Sequence, residues 1–197
     1  MDCHCIPHNR IPHSSALFLD YLYQHDRVAG FYNGSPFESA SYERLAGEFQ
    51  FAPEKRRELV AILERQNRAF GSGAASLANV ARLAEPDTFA VVTGQQAGLF
   101  SGPAFTLYKA LTTVKLAQKL TENGISAVPV FWLATEDHDL EEVSQAAILN
   151  DAYELVRLAE PGDRPAPRSP VGAVRLTAGV TELIGQIVSS LSGASGL

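Results

Sequence analysis

Between residues 136 and 142 the chain reads Glu-Asp-His-Asp-Leu-Glu-Glu, five carboxylates and one imidazole in a single short segment. With the histidine neutral these residues carry −5, against −6 for the whole chain. So many like charges in one cleft call for a cation. A substrate ammonium group would serve, as would Mg²⁺. An imidazole beside carboxylates holds its proton more readily, which makes His138 a candidate acid/base. Part of the cluster has a purely structural explanation: Asp139 can cap a following helix, with Glu142 three residues later completing a capping box. Glu136, Asp137 and His138 are left for chemistry, with Asp139 beside them.

A second set of candidates precedes this one. Residues 93–103, TGQQAGLFSGP, place Gly94, Gly98 and Gly102 four apart. The spacing is neither the dinucleotide fingerprint nor a P-loop, since no Gly-Lys-Ser/Thr follows. The glycines run into a helix-like stretch, so free backbone N–H groups and the positive end of a helix dipole meet there, a place suited to a carboxylate or phosphate. Gln95, Gln96 and Ser101 add neutral donors and acceptors. Lys109, within the helix, could reach a phosphate, although a helical lysine is more often solvated. The structural alternative for the glycines is a tight strand-to-helix turn.

The elements that must position these residues form one unit. TFAVV (88–92) and VPVFWLAT (128–135) are short continuous apolar runs, as expected of parallel strands covered on both faces. AFTLYKALTTVKLAQKL (104–120) is the helix between them. The order is strand, glycine loop, helix, strand, acidic loop: a βαβ unit with a right-handed crossover. It places both candidate sets at strand carboxyl ends, where open α/β sheets bind ligands. Before it, residues 14–31 read as a helix capped by Ser14 or Ser15 and ended by Gly30, and YNGSPFESASY reads as loop. Residues 53–70 form the clearest helix, with Pro53 in its first turn. Leu59, Ile62, Leu63 and Phe70 share one face, while Lys55, Arg56, Glu64 and Arg65 face water. A short helix follows at 74–84. After the acidic loop come a short helix to Gln145, strands at 146–150 and 153–159, and an exposed proline-rich loop at 160–172. A further strand at 173–177 and a helix at 180–191 complete the reading.

Composition narrows the classes. A net charge of −6 with no Lys/Arg-rich run argues against nucleic acid as a partner. No apolar run is long enough to span a bilayer, and the N-terminus lacks a signal-peptide core, so the expected location is cytoplasmic. Cys3-His4-Cys5, with His8 and His13 nearby, has the wrong spacing for a structural zinc site and reads as a frayed terminus; no metal site is assigned.

VVTGQQAGLFSGPAFTLYKALTTVKLA (91–117) and VPVFWLATEDHDLEEV (128–143) closely resemble the signature of the BshC family, the cysteine-adding enzymes of bacillithiol biosynthesis. FLDYLY (18–23), RRELVAILERQNRAFG (56–71) and LANVARLAEPDT (77–88) extend the likeness over nearly the whole chain. The resemblance implies an α/β fold: a Rossmann-like, nucleotidyltransferase-type core with a parallel βαβ unit, preceded by an N-terminal helical segment. The expected organisation is a helical segment over 1–86, the core with its motifs over 87–159, and the proline-rich loop with the start of an inserted connecting segment over 160–197. The activity implied is a ligase joining the carboxyl group of cysteine to the amine of glucosaminyl-malate. ATP is the expected energy source, inferred from the reaction type, with Mg²⁺ as its companion. Family members run several hundred residues further and form homodimers through a coiled coil, so this chain reads as an N-terminal part, truncated relative to the family. The alternatives are a non-catalytic nucleotide-binding fragment that needs a separate C-terminal half, and a metal-dependent hydrolase built on the acidic loop.

Overall fold

The computed structural model describes residues 5–160, 162–163 and 165–191, with the backbone alone at Leu191. Cys3 and His4 of the cysteine–histidine cluster lie outside the described residues. The chain divides into two compact units, Met1–Phe89 and Ala90–Leu197.

The first unit is helical. Helix α1 (Ala16–Tyr23) starts where Ser15 accepts the N–H of Phe18 at 3.2 Å. It stops well short of Gly30. Two single-turn 3₁₀ segments, His25–Arg27 and Ala29–Phe31, follow. The reason lies in the aromatic residues: the Tyr21 ring meets His25, Tyr32 and Phe37 at centroid distances of 5.9, 5.2 and 6.0 Å, a cluster that a continuous helix could not gather. Helix α2 (Ser39–Glu48) begins inside the stretch read as loop. Helices α3 (Pro53–Ala69) and α4 (Ala74–Arg82) match expectation, with Pro53 in the first turn and Gly71 at φ 68° just beyond the end of α3. The packing face of α3 differs from the predicted one. Arg56 turns inward, and its Nη1 donates to the carbonyls of Leu83 and Thr88, each at 2.9 Å. Thr88 is buried, as is Leu83, so the guanidinium satisfies acceptors that water cannot reach. Phe70, assigned to the apolar face, is instead exposed.

The second unit holds the βαβ arrangement. Strand β1 (Phe89–Gln95), helix α5 (Ala104–Glu122) and strand β2 (Ala127–Leu133) follow in order, and β1 pairs with β2 in parallel. Thr113, Ala117 and Leu120, three and four apart, form the buried stripe of α5, which packs on β2. Ala127 and Val128 are fully covered. The opposite side of α5 is also apolar, yet Leu107, Tyr108 and Leu111 are exposed.

Helix α6 (Leu140–Val143) leads into strand β3 (Gln145–Leu149), which pairs antiparallel with β4 (Leu155–Ala159) from Gln145↔Ala159 to Leu149↔Leu155. Asn150 shapes the turn between them, its side-chain oxygen accepting the N–H groups of Ala152 and Glu154 at 3.0 and 2.8 Å. The expected strand at 173–177 is reduced to one bridge, Asp163↔Arg175, after a 3₁₀ turn at Val171–Ala173. The N–H of Ala173, where that strand would begin, is committed to the Pro170 carbonyl within the turn at 2.9 Å. Helix α7 (Gly179–Leu191) closes the described part. Among the described residues, no helix is long and apolar enough to cross a membrane.

Candidate functional site

Strand β1 runs further than its apolar run, through Thr93, Gly94 and Gln95. Glycine is required at 94 because β2 lies against it: a Cβ there would stand 3.0 Å from the Trp132 carbonyl oxygen and 3.1 Å from Trp132 Cβ. Beyond Gln96 the loop folds onto itself. A Cβ on Gly98 would lie 2.8 Å from Gly102 Cα, and Gly102 sits at φ 70°, with Phe100 and Ser101 also left-handed at 50° and 76°. Gly94 and Gly98 thus serve close approach of backbone to backbone, and Gly102 supplies a left-handed turn. Ser101 is exposed on the outer part of the loop.

Lys109 reaches back along α5. Its ammonium donates to the Gly94 carbonyl and to Gln95 Oε1, the latter at 3.1 Å, and lies 5.9 Å from the centre of the Phe105 ring. Gln95 in turn accepts the Ala134 N–H through its own carbonyl at 3.1 Å, tying the ends of β1 and β2 together. Lys109 is therefore engaged within the fold at the root of the loop.

Gln96 joins the two motifs. Its Nε2 donates to Asp137 Oδ2 at 2.6 Å, across 41 residues of sequence. The other carboxylate oxygen of Asp137 accepts the N–H of His138 at 2.6 Å and of Asp139 at 3.2 Å. The Asp139 N–H leads in holding the Asp137 carboxyl below the usual carboxylate range, followed by the Gln96 amide and the His138 N–H. His138 Nδ1 stands 3.7 Å from Asp137 Oδ1, and both side chains remain open to solvent. Asp139 caps α6 by accepting the Glu142 N–H at 3.2 Å. The expected capping box is half made, because the Asp139 N–H is already committed to Asp137. Glu136, Glu141 and Glu142 are exposed around this cluster.

The structure thus draws Gln96, Asp137, His138 and Asp139 into one hydrogen-bonded group, and Gly94, Gln95 and Lys109 into a second at the root of the same loop. Ser101 and Glu136 belong to neither. Gln96 was among the sequence candidates, whereas Thr106 had no counterpart there. Gln96 Oε1 and Thr106 Oγ1 are buried without a hydrogen-bond partner, although the donation of Gln96 Nε2 to a carboxylate fixes the sense of its amide. Thr106, in the first turn of α5, lies beneath Gly102: its Oγ1 is 3.6 Å from where a Gly102 Cβ would be. Among the described residues, no group of three or more His, Cys, Asp or Glu side chains is arranged to hold a metal ion.

A parallel strand–glycine loop–helix–strand unit with an acidic loop at the end of its second strand defines a Rossmann-like α/β domain. Residues 1–195 match the family model described as "Bacillithiol biosynthesis BshC, N-terminal Rossmann-like domain", and the chain belongs to that family. Curated relatives carry the name "Putative cysteine ligase BshC". The protein of Solibacter usitatus (strain Ellin6076) is 44% identical over 178 residues, covering 90% of this chain and 32% of the relative. The Koribacter versatilis (strain Ellin345) protein is 34% identical, covering 98% and 36%. The Salinibacter ruber (strain DSM 13855 / M31) protein is 37% identical, covering 89% and 32%. The chain therefore spans about a third of the length of these relatives.

Proposed function

We propose that this chain is the N-terminal part of a cysteine ligase of bacillithiol biosynthesis, joining the cysteine carboxyl group to the amine of glucosaminyl-malate. The observation that carries the reading is the 2.6 Å bond from Gln96 to Asp137, which joins the glycine-loop motif and the acidic motif into one polar group at the ends of β1 and β2. The names of the relatives support the reaction class.

The hydrogen bonds to Asp137 support a role in binding. A carboxylate held below its ordinary range stays ionised and is a weak base, so it suits binding and orienting an ammonium group rather than accepting a proton. His138, exposed beside it, takes the proton that turns the bound ammonium into the free amine; the amine then attacks the activated carboxyl carbon, the activating group leaves with its bonding electrons, and the second proton passes to solvent. Glu136 and Asp139 add negative charge around the amine. Amide formation from a carboxylate requires activation, which ATP would supply when bound. The N–H groups of Ala104 and Phe105 at the start of α5 are the donors suited to its phosphates. Mg²⁺ would need phosphate oxygens to complete its shell, since the described side chains offer no three-ligand set. As in the family, dimerisation through a coiled coil would involve polypeptide other than these residues.

Thiol profiling tests the reading. A strain lacking the gene should accumulate glucosaminyl-malate and lose bacillithiol. Unchanged bacillithiol in that strain would remove the ligase assignment.

A further inference from the structure

The segment after β4, expected to be an exposed loop, is fastened to the acidic loop. The Val171 N–H donates to the Asp137 carbonyl at 2.6 Å, and the Gly172 N–H donates to the Thr135 carbonyl at 2.9 Å. These acceptors flank Glu136. A third tie lies at the far end of the same stretch, where the Glu160 N–H donates to the Ser144 carbonyl at 2.8 Å, just past α6. Three carbonyls between residues 135 and 144 are thus held by one segment.

That segment is itself anchored. Val171 is 8% exposed and Ser169 9%. Ser169 Oγ donates to the Ala166 carbonyl at 2.7 Å and accepts the Ala166 N–H at 3.0 Å, closing the proline-rich turn. Asp163 and Arg175 exchange both backbone bonds, at 2.8 and 3.0 Å. Glu160, 7% exposed, accepts the Thr177 hydroxyl at 2.7 Å and the Gly162 N–H at 3.3 Å. The close approach depends on the residue at 172. A Cβ there would stand 3.0 Å from Thr135 Cβ and 3.3 Å from the Thr135 carbonyl oxygen, so a side chain requires the strap or the acidic loop to give by a few tenths of an ångström, more for a branched one.

We propose that Val171–Gly172 is a strap that sets where the Asp137 carboxylate stands relative to Gln96, with Gly172 as a positioning residue of the site. The consequence for catalysis rests on the amine-binding reading above, but the geometry is testable without substrate. Asp137 faces Gln96 and His138, with Asp139 next along the loop, so its titration reports its distance from these groups.

The test is NMR on the chain itself, following the Asp137 carboxyl carbon through a pH titration together with the Gln96 side-chain amide resonances. Gly172→Val should move the Asp137 midpoint upward, toward the ordinary carboxylate value, and shift the Gln96 amide. Gly172→Ala should do the same to a smaller extent. Gly185→Ala, on α7 where a Cβ meets nothing within 4 Å, should change neither. Folded Gly172 variants with unmoved Asp137 and Gln96 signals would overturn the proposal. If the valine variant loses its dispersed spectrum, Ser169→Ala decides, because it loosens the proline-rich turn without adding atoms; an unmoved Asp137 midpoint there overturns the strap equally. Wild-type chain that fails to bind glucosaminyl-malate would remove the functional reading and leave the strap standing. Normal wild-type binding with unmoved variant signals does the reverse.

Discussion

Replacing Lys109 with methionine separates a lysine that binds ligand from one that builds the loop. The stem is kept, and the ammonium that joins the Gly94 carbonyl to Gln95 Oε1 is lost. A hydrogen bond made by a charged group contributes about 1.5–3 kcal/mol net. Two acceptors share this ammonium, but Lys109 is half-buried and water replaces part of what is removed, so the pair together is worth about 1.5–3 kcal/mol. The contact with Phe105 adds little, since that ring is itself half-exposed. At about 2–4 °C per kcal/mol for a chain of this size, Tm should fall by roughly 3–12 °C. Thermal unfolding followed by circular dichroism, with Lys119→Met as the exposed control, reads this directly. A Lys109→Met variant that melts within about 1 °C of wild type while losing phosphate affinity would refute the structural role and return Lys109 to the ligand.

Other outcomes follow from the same geometry. Gly94→Ala forces a methyl group against the Trp132 backbone and should cost about 1–3 kcal/mol in urea unfolding. Arg56→Met removes the guanidinium's bonds to the Leu83 and Thr88 carbonyls and should destabilise the first unit by about 2 kcal/mol, read by hydrogen exchange of α4. Leu111→Glu, at an exposed position of α5, should change stability by less than about 0.5 kcal/mol. Asp137 has a folded-state pKa below its unfolded one. Its stabilising contribution is therefore complete above the ordinary carboxylate value and is lost as pH falls through the depressed one. Acid unfolding should show wild type and Asp137→Asn differing near neutrality and converging at low pH, while Gln96→Leu should raise the Asp137 midpoint in an NMR titration.

Much of the second unit was legible because local signals agreed with tertiary packing. Continuous apolar runs marked β1 and β2, and Asp139 capped α6 where its position suggested. Elements failed where tertiary contacts outweighed local pattern. Helix α1 ends at Tyr23 because its aromatic neighbours gather around Tyr21, which periodicity does not express. Arg56 looks solvated by type, yet turns inward because two buried carbonyls need donors. At the site, residue types identified Gln96 and Asp137 separately, and only the fold supplies their contact. The 169–172 strap was hidden because proline-rich sequence reads as exposed loop, while its anchoring uses backbone N–H groups that carry no side-chain signature. The glycines of 94–102 invited an anion cradle, whereas two of them are needed for backbone close to backbone.

The most direct measurement is an NMR titration of the chain with glucosaminyl-malate, following the Gln96 side-chain amide and the Asp137 carboxyl carbon. Both signals should move together and saturate at one affinity, and Asp137→Asn should abolish the response at Gln96. Saturable binding that leaves both signals in place would contradict an amine site built on that pair.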